Sequence, residues 1–154
     1  MSRYYIDCEF DGHNGPLLSM AIVRTARDSI AIVTGAAADV NDPWVRENVL
    51  PIIHKDRAPE TIFTGENSVG ANLRDFIGND PQPVIVADSP VDIMRFCRAI
   101  STDLDGSWAS TSYERMTFIV ENVDCYPTDL PGAIQHNAWW DAMALRHKLT
   151  VRAS

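Results

Sequence analysis

Two carboxylates lie two residues apart near the start of the chain, within Tyr4-Tyr5-Ile6-Asp7-Cys8-Glu9-Phe10. The Tyr, Ile and Phe of this stretch favour a pleated strand. Strand side chains alternate between faces, so Asp7 and Glu9 share one face, roughly 7 Å apart, while Ile6 and Cys8 take the other. No Lys or Arg is adjacent to either acid. Like charges on one face repel unless a positive charge lies between them. A hard divalent cation, which takes oxygen ligands, would serve. An edge strand with two solvated acids is the alternative that this stretch leaves open.

Three more acids and a histidine extend the pattern. Asp92 falls in the first turn of a helix expected after Val84-Ile85-Val86-Ala87, where a carboxylate also suits the helix dipole. Asp88, at the end of that apolar run, competes with it for any role. In the last helix, Ala138, Ala142, Leu145 and Leu149 form the apolar stripe, and Asp141 projects about 40–60° from its edge. That puts Asp141 where helix meets sheet, and a carboxylate there needs a partner. In a regular helix His136 would lie about 140° from Asp141, so it is placed on the preceding loop. A loop histidine beside acids can act as a base near neutral pH, although an exposed loop histidine is common without any role.

The elements that must position these groups follow in order. Strands are expected at residues 4–10, 17–24 and 29–33, with short links that make an antiparallel meander. Asp42 and Pro43 read as the N-cap and first position of a helix reaching about Leu50. Residues 54–67 are polar and read as loop. Ser68 is expected to cap a helix carrying Val69, Leu73, Phe76 and Ile77, closed by Gly78. Val84–Ala87 reads as a strand buried on both faces. Ser89 and Pro90 open the helix that carries Asp92. Residues 103–112 read as a polar loop, 116–120 as a strand, 121–132 as a loop, 137–149 as a helix and 150–154 as a tail. Trp44 and Phe63 are expected in the core; Trp140 faces away from the helical stripe and is expected against another element or a second subunit. The result is one α/β domain over residues 1–154 with a mixed sheet.

The 154 residues, 45% hydrophobic and 22% charged, suit an ordinary globule with a real core. No run approaches the roughly 18 apolar residues of a membrane helix. The chain enters its first strand with no basic and apolar leader, and its three cysteines are scattered; both lead to the expectation of a reducing cytoplasm. The net charge of −8 argues against a passive basic grip on nucleic acid. Binding would need cations that cancel the clustered acids locally.

Taken together, Asp-x-Glu on a first strand, an Asp opening a helix after a buried strand, and His-x4-Asp at a last helix resemble the DEDD 3′–5′ exonucleases. The likeness is to the branch with His in its last motif. The matching stretches are Asp7–Phe10, Val84–Asp92 and His136–Ala142, and they span nearly the whole chain. The chain looks most similar to the compact exoribonuclease-like domain of mycobacteria and phages. There too, Asp-x-Glu-Phe precedes a strand like Leu18-Ser19-Met20-Ala21-Ile22-Val23. Two features depart from the wider family: Phe10-Asp11 replaces Thr-Gly after Glu9, and Asp88-Ser89 stands where many relatives have His-Asn.

The resemblance implies a ribonuclease H-like fold, with an antiparallel three-strand meander joined to parallel strands and flanked by helices. It implies two divalent ions, Mg²⁺ or Mn²⁺. Asp7 would bridge them, Glu9 and Asp141 would help hold the first, and Asp92, preferred over Asp88, the second. His136 would take the proton from the attacking water. Phe10 could stack on a terminal base. The expected substrates are single-stranded RNA or DNA 3′ ends, RNA foremost, and the family leaves room for a homodimer. The competing reading is a non-catalytic acidic protein that mimics or binds nucleic acid. Such a mimic needs acids spread over a surface rather than paired at i, i+2.

Overall fold

A computed structural model of the chain describes residues 2–109 and 115–152. Six strands form one mixed sheet in the order β4-β3-β2-β1-β5-β6. The strands β1 (Arg3–Phe10), β2 (Leu17–Thr25) and β3 (Asp28–Thr34) make the expected antiparallel meander. On one side, β5 (Val84–Ala87) runs parallel to β1, and β6 (Thr117–Val120) parallel to β5. On the other, β4 (Glu60–Thr64) runs parallel to β3.

The strand β4 corrects the reading of residues 54–67 as loop. Thr61, Ile62, Phe63 and Thr64 are good strand formers, but the segment is short, flanked by polar residues and only half-buried. Its partner is β3, about thirty residues earlier (Ile30 with Glu60, Thr34 with Thr64), and no local pattern announces that pairing.

Alternation along β1 divides the core. Tyr4, Ile6 and Cys8 pack with helices α2 (Val69–Ile77) and α3 (Pro90–Ile100) through Leu73, Ile77, Phe96 and Ile100. Tyr5, on the opposite face, packs with Ala21, Val23 and Val86 under α4 (Ala138–Arg152). A third, smaller cluster joins Leu18 and Val33 to Val45 and Val49 at α1 (Pro43–Asn48).

The helix starts follow local rules. Asp42 Oδ1 accepts from Trp44 N and Val45 N, and Ser89 Oγ accepts from Val91 N, each with proline at the first helical position. Ser68 does not cap α2; it sits in a 3₁₀ turn, Glu66–Ser68, that runs straight into the helix. Gly78 closes α2 with φ of 57°. The last helix runs to Arg152, past the expected tail, and residues 110–112 of the expected polar loop lie outside the described residues. Among the described residues, no helix is long and apolar enough to cross a membrane.

Candidate metal centre

The carboxyl ends of the parallel strands β1 and β5 meet at one edge of the sheet, the place where open α/β sheets offer a crevice to ligands. From β1 come Asp7 and Glu9, on the face covered by α4. The β1–β2 ladder shifts register between Glu9 and Phe10, an irregularity of the kind that re-aims side chains beside active sites. From the end of β5 comes Asp88. One turn later α3 brings Asp92, which is 4% exposed. From the start of α4 come His136 and Asp141.

These six groups form two clusters. Ligand atoms of Asp7, Asp88 and Asp92 lie within 4.8 Å of one another, and so do those of Glu9, His136 and Asp141. All five site residues of the sequence motifs are therefore brought together. Asp88 and Asp92, set against each other as alternatives, both reach Asp7. A cavity of about 230 Å³ opens between the clusters, bounded by Asp7, Asp88, Cys125, Tyr126, His136 and Asp141.

No cationic side chain forms an ion pair with these acids among the described residues. Their protonation equilibria record the consequence. Burial, and then the charges of Asp92, Asp141, Glu9 and Asp88, hold Asp7 well above the usual carboxylate range. Burial followed by Asp141 and Asp92 pushes Glu9 to about 8. Burial pushes Asp92 to about 7, with Asp88 adding to the shift and contacts to Cys8 opposing it. Asp141 also rises to about 7 through burial, opposed by Tyr126 and by the His136 backbone. Asp88 is raised, mainly by burial, with the Cys125 thiol 3.7 Å away as a weak opposing donor.

The start of α4 is built from two side chains and the backbone of His136. Asn137 is 2% exposed; its Nδ2 donates to Ile52 O at 2.8 Å, and its Oδ1 accepts from Trp140 N at 3.2 Å. It is thus both the cap of α4 and a tie to the 52–53 segment. Asp141 Oδ2 accepts from His136 N at 2.9 Å. His136 has φ of 66°, the sole non-glycine with positive φ among the described residues. Such backbone is unfavourable without support, and Asn137 and Asp141 supply that support on either side. Asp141 Oδ1 is buried and has no hydrogen-bond partner; the Tyr126 hydroxyl approaches but likewise completes no bond.

An orphaned carboxylate oxygen and two oxygen-rich ligand triads fit hard divalent cations. Asp7, Asp88 and Asp92 would hold one ion, and Glu9 and Asp141 another.

Two aromatic residues depart from their expected core positions. Trp44 is 52% exposed on the first turn of α1, with its ring edge-on to His136 at 5.0 Å between centroids. Phe63 is 67% exposed on β4 beside His54. The small cluster under α1 takes Val45 and Val49, which puts Trp44 outside it and at the site. Phe10 is half-buried; it packs on the α2–α3 core and also borders a cavity of about 450 Å³ with Glu9, Asp42 and Trp44. Trp140 is buried against another element, its Nε1 donating to Lys55 O at 3.1 Å.

Sequence reasoning missed Trp44, Asn137 and Tyr126 as neighbours of the site. Only the Asn before the final helix carried a readable signal, that of an N-cap. No family model matches the chain, and no curated protein matches it.

Proposed function

We propose that the chain is a metal-dependent 3′–5′ exonuclease of the DEDDh type, built on a ribonuclease H-like fold and acting on single-stranded ends, RNA foremost. The observation that carries this reading is the gathering of Asp7, Asp88 and Asp92 in one cluster and of Glu9, Asp141 and a histidine in another, with a cavity bordered by members of both and no ion pair to any of these acids among the described residues. Acids buried together without an ion pair destabilise a fold, so their arrangement makes sense as a receptor for cations. The acids of a nucleic-acid mimic would be spread over a surface; these point inward to one place.

Two Mg²⁺ or Mn²⁺ ions bound there would supply charge neutralisation at the phosphate and an acidified water. The chain's own residues then have distinct tasks. Asp7 sits in one cluster and feels the charges of Glu9 and Asp141 in the other, so it would be the ligand best placed to serve both ions. Asp141 spends one oxygen on fixing His136 and keeps the other for the site. His136 takes the proton of the attacking water at a ring nitrogen, within reach of Glu9 and Asp141. Trp44 and Asn137 hold the imidazole in place, one against the ring and one through the backbone. Phe10 and Trp44 border the open cavity beside Glu9 and offer apolar faces to a terminal base.

The test is incubation of 5′-labelled RNA and DNA oligomers with Mn²⁺, Mg²⁺ or EDTA, read on a sequencing gel. A ladder shortening one nucleotide at a time from the 3′ end, absent in EDTA, is the expected result. Intact oligomers under every metal condition overturn the assignment.

A further inference from the structure

We propose that a second cavity, between α3, the β1–β2 loop and the turn at residues 66–67, holds a backbone phosphate of a single-stranded nucleic acid through Arg95 and Arg98. The proposal rests on the exonuclease reading for its substrate class but not for its geometry. This cavity, also about 450 Å³, is bordered by His13, Asn14, Asn67, Arg95, Arg98 and Thr102 and by one acid, Glu66. Its size is that of a small-ligand site.

Arg95 is anchored without an ion pair. Its guanidinium donates to Gly15 O at 2.8 Å and His13 O at 3.2 Å, and lies 4.2 Å from the centroid of the Phe10 ring. Its Nε is buried with no hydrogen-bond partner. Arg98 borders the same cavity and is exposed. Neither guanidinium forms an ion pair among the described residues; burial and then the charge of Arg98 disfavour the charge on Arg95, while Glu66 and Asp92 support it. Two like charges are thus held at one concave surface of a chain whose net charge is −8. A phosphate matches the fork geometry of arginine and would supply the paired anion that neither guanidinium has among the described residues.

Position argues for a phosphate on the substrate strand rather than a free anion. Residues three apart are neighbours on a helix surface, so Asp92, Arg95 and Arg98 form a row that winds about 120° around α3, from the buried Asp92 to the exposed Arg98. The row covers about 9 Å of helix axis, starting at the acid cluster. Phe10 links the two regions, since it follows Glu9 and stacks under Arg95. A strand with its 3′ end at the acids would therefore run across Phe10 and over the two arginines.

The test is fluorescence anisotropy of a labelled single-stranded oligoribonucleotide, in EDTA and in Ca²⁺, for the wild type, Arg98→Ala, Arg98→Glu and Arg95→Lys. Arg98 is exposed, so its variants should fold; circular dichroism checks this. Loss of one phosphate contact should make the slope of log K against log[salt] shallower by about 0.7. Arg98→Glu should weaken binding more than Arg98→Ala. Arg95→Lys keeps the charge but loses the fork, and should also bind more weakly. Unchanged affinity and salt slope in both Arg98 variants overturn the proposal. It is equally overturned if inorganic phosphate raises the wild-type Tm in an Arg98-dependent way while oligonucleotide affinity ignores Arg98; the cavity is then a free-phosphate site. Because binding is read without turnover, a wild type that binds through Arg98 but never cleaves supports the phosphate site while refuting the exonuclease.

Discussion

Glu9→Gln in the metal-free protein tests the physical basis of the site most directly. The carboxyl of Glu9 rises from 4.5 to about 8 in the fold, chiefly through burial and then through Asp141 and Asp92. An acid whose folded pKa is raised binds a proton more tightly when folded. Its contribution to stability is complete below about pH 4.5 and is lost as pH rises through about 8. The difference of about 3.5 units corresponds to a ceiling of about 5 kcal/mol at 1.36 kcal/mol per unit. Screening at a half-buried carboxylate, and readjustment of the neighbouring acids, reduce the expected loss to about 2 kcal/mol. A neutral isostere does not suffer it. In EDTA at pH 8.5, Glu9→Gln should therefore melt above the wild type by about 4–8 °C, at roughly 2–4 °C per kcal/mol for a chain of this size. Near pH 4.5 the two should nearly coincide. Added Mn²⁺ should reverse the order, since mass action stabilises the wild type through its complete ligand set. Differential scanning calorimetry across pH with and without Mn²⁺ reads all of this. A wild type whose Tm is flat from pH 5 to 8.5 in EDTA, with no gain in the mutant, would show Glu9 to be an ordinary solvated acid.

Other substitutions separate the roles of the neighbours. Asp7→Asn and Asp141→Asn should each abolish metal-dependent cleavage while the folded circular-dichroism spectrum persists; normal turnover in either would refute the two-ion arrangement. Asp92→Ala should cost more activity than Asp88→Ala, because Asp92 is the more buried of the two at Asp7, and isothermal titration with Mn²⁺ should show weakened binding in both. A larger loss for Asp88→Ala reverses their ranking. His136→Ala should slow single-turnover cleavage by about 10²–10⁴-fold, the usual range for general-base assistance, with little change in Mn²⁺ affinity. Near-normal turnover would make the histidine a bystander.

Much of the site was legible locally. Strand alternation alone put Asp7 and Glu9 on one face and Ile6 and Cys8 on the other, and Cys8 and Ile6 are indeed core. The caps at Asp42-Pro43 and Ser89-Pro90, the meander and the doubly buried Val84–Ala87 follow from neighbours in sequence. Their signals depend on a few adjacent residues, so the chain carries them without its fold. Other features had no such signal. Strand β4 exists because β3 offers it an open edge, and its own half-exposed residues do not demand burial. Trp44 is at the site because the pocket beneath α1 is filled by Val45 and Val49, a matter of available volume. The sequence preferred Asp92 over Asp88, and that both reach Asp7 depends on how β5 pairs with β1 and how α3 leaves the sheet. The helical wheel placed His136 off the helix, but its direction was decided by Asn137 gripping the 52–53 segment and by Asp141 binding its backbone. Arg95 reached the carbonyls of His13 and Gly15 only once α3 had packed beside the β1–β2 loop. Residue types and spacing set which groups share a face; the long-range packing of strands and helices set which faces meet, because that depends on the shape of elements far apart in the chain.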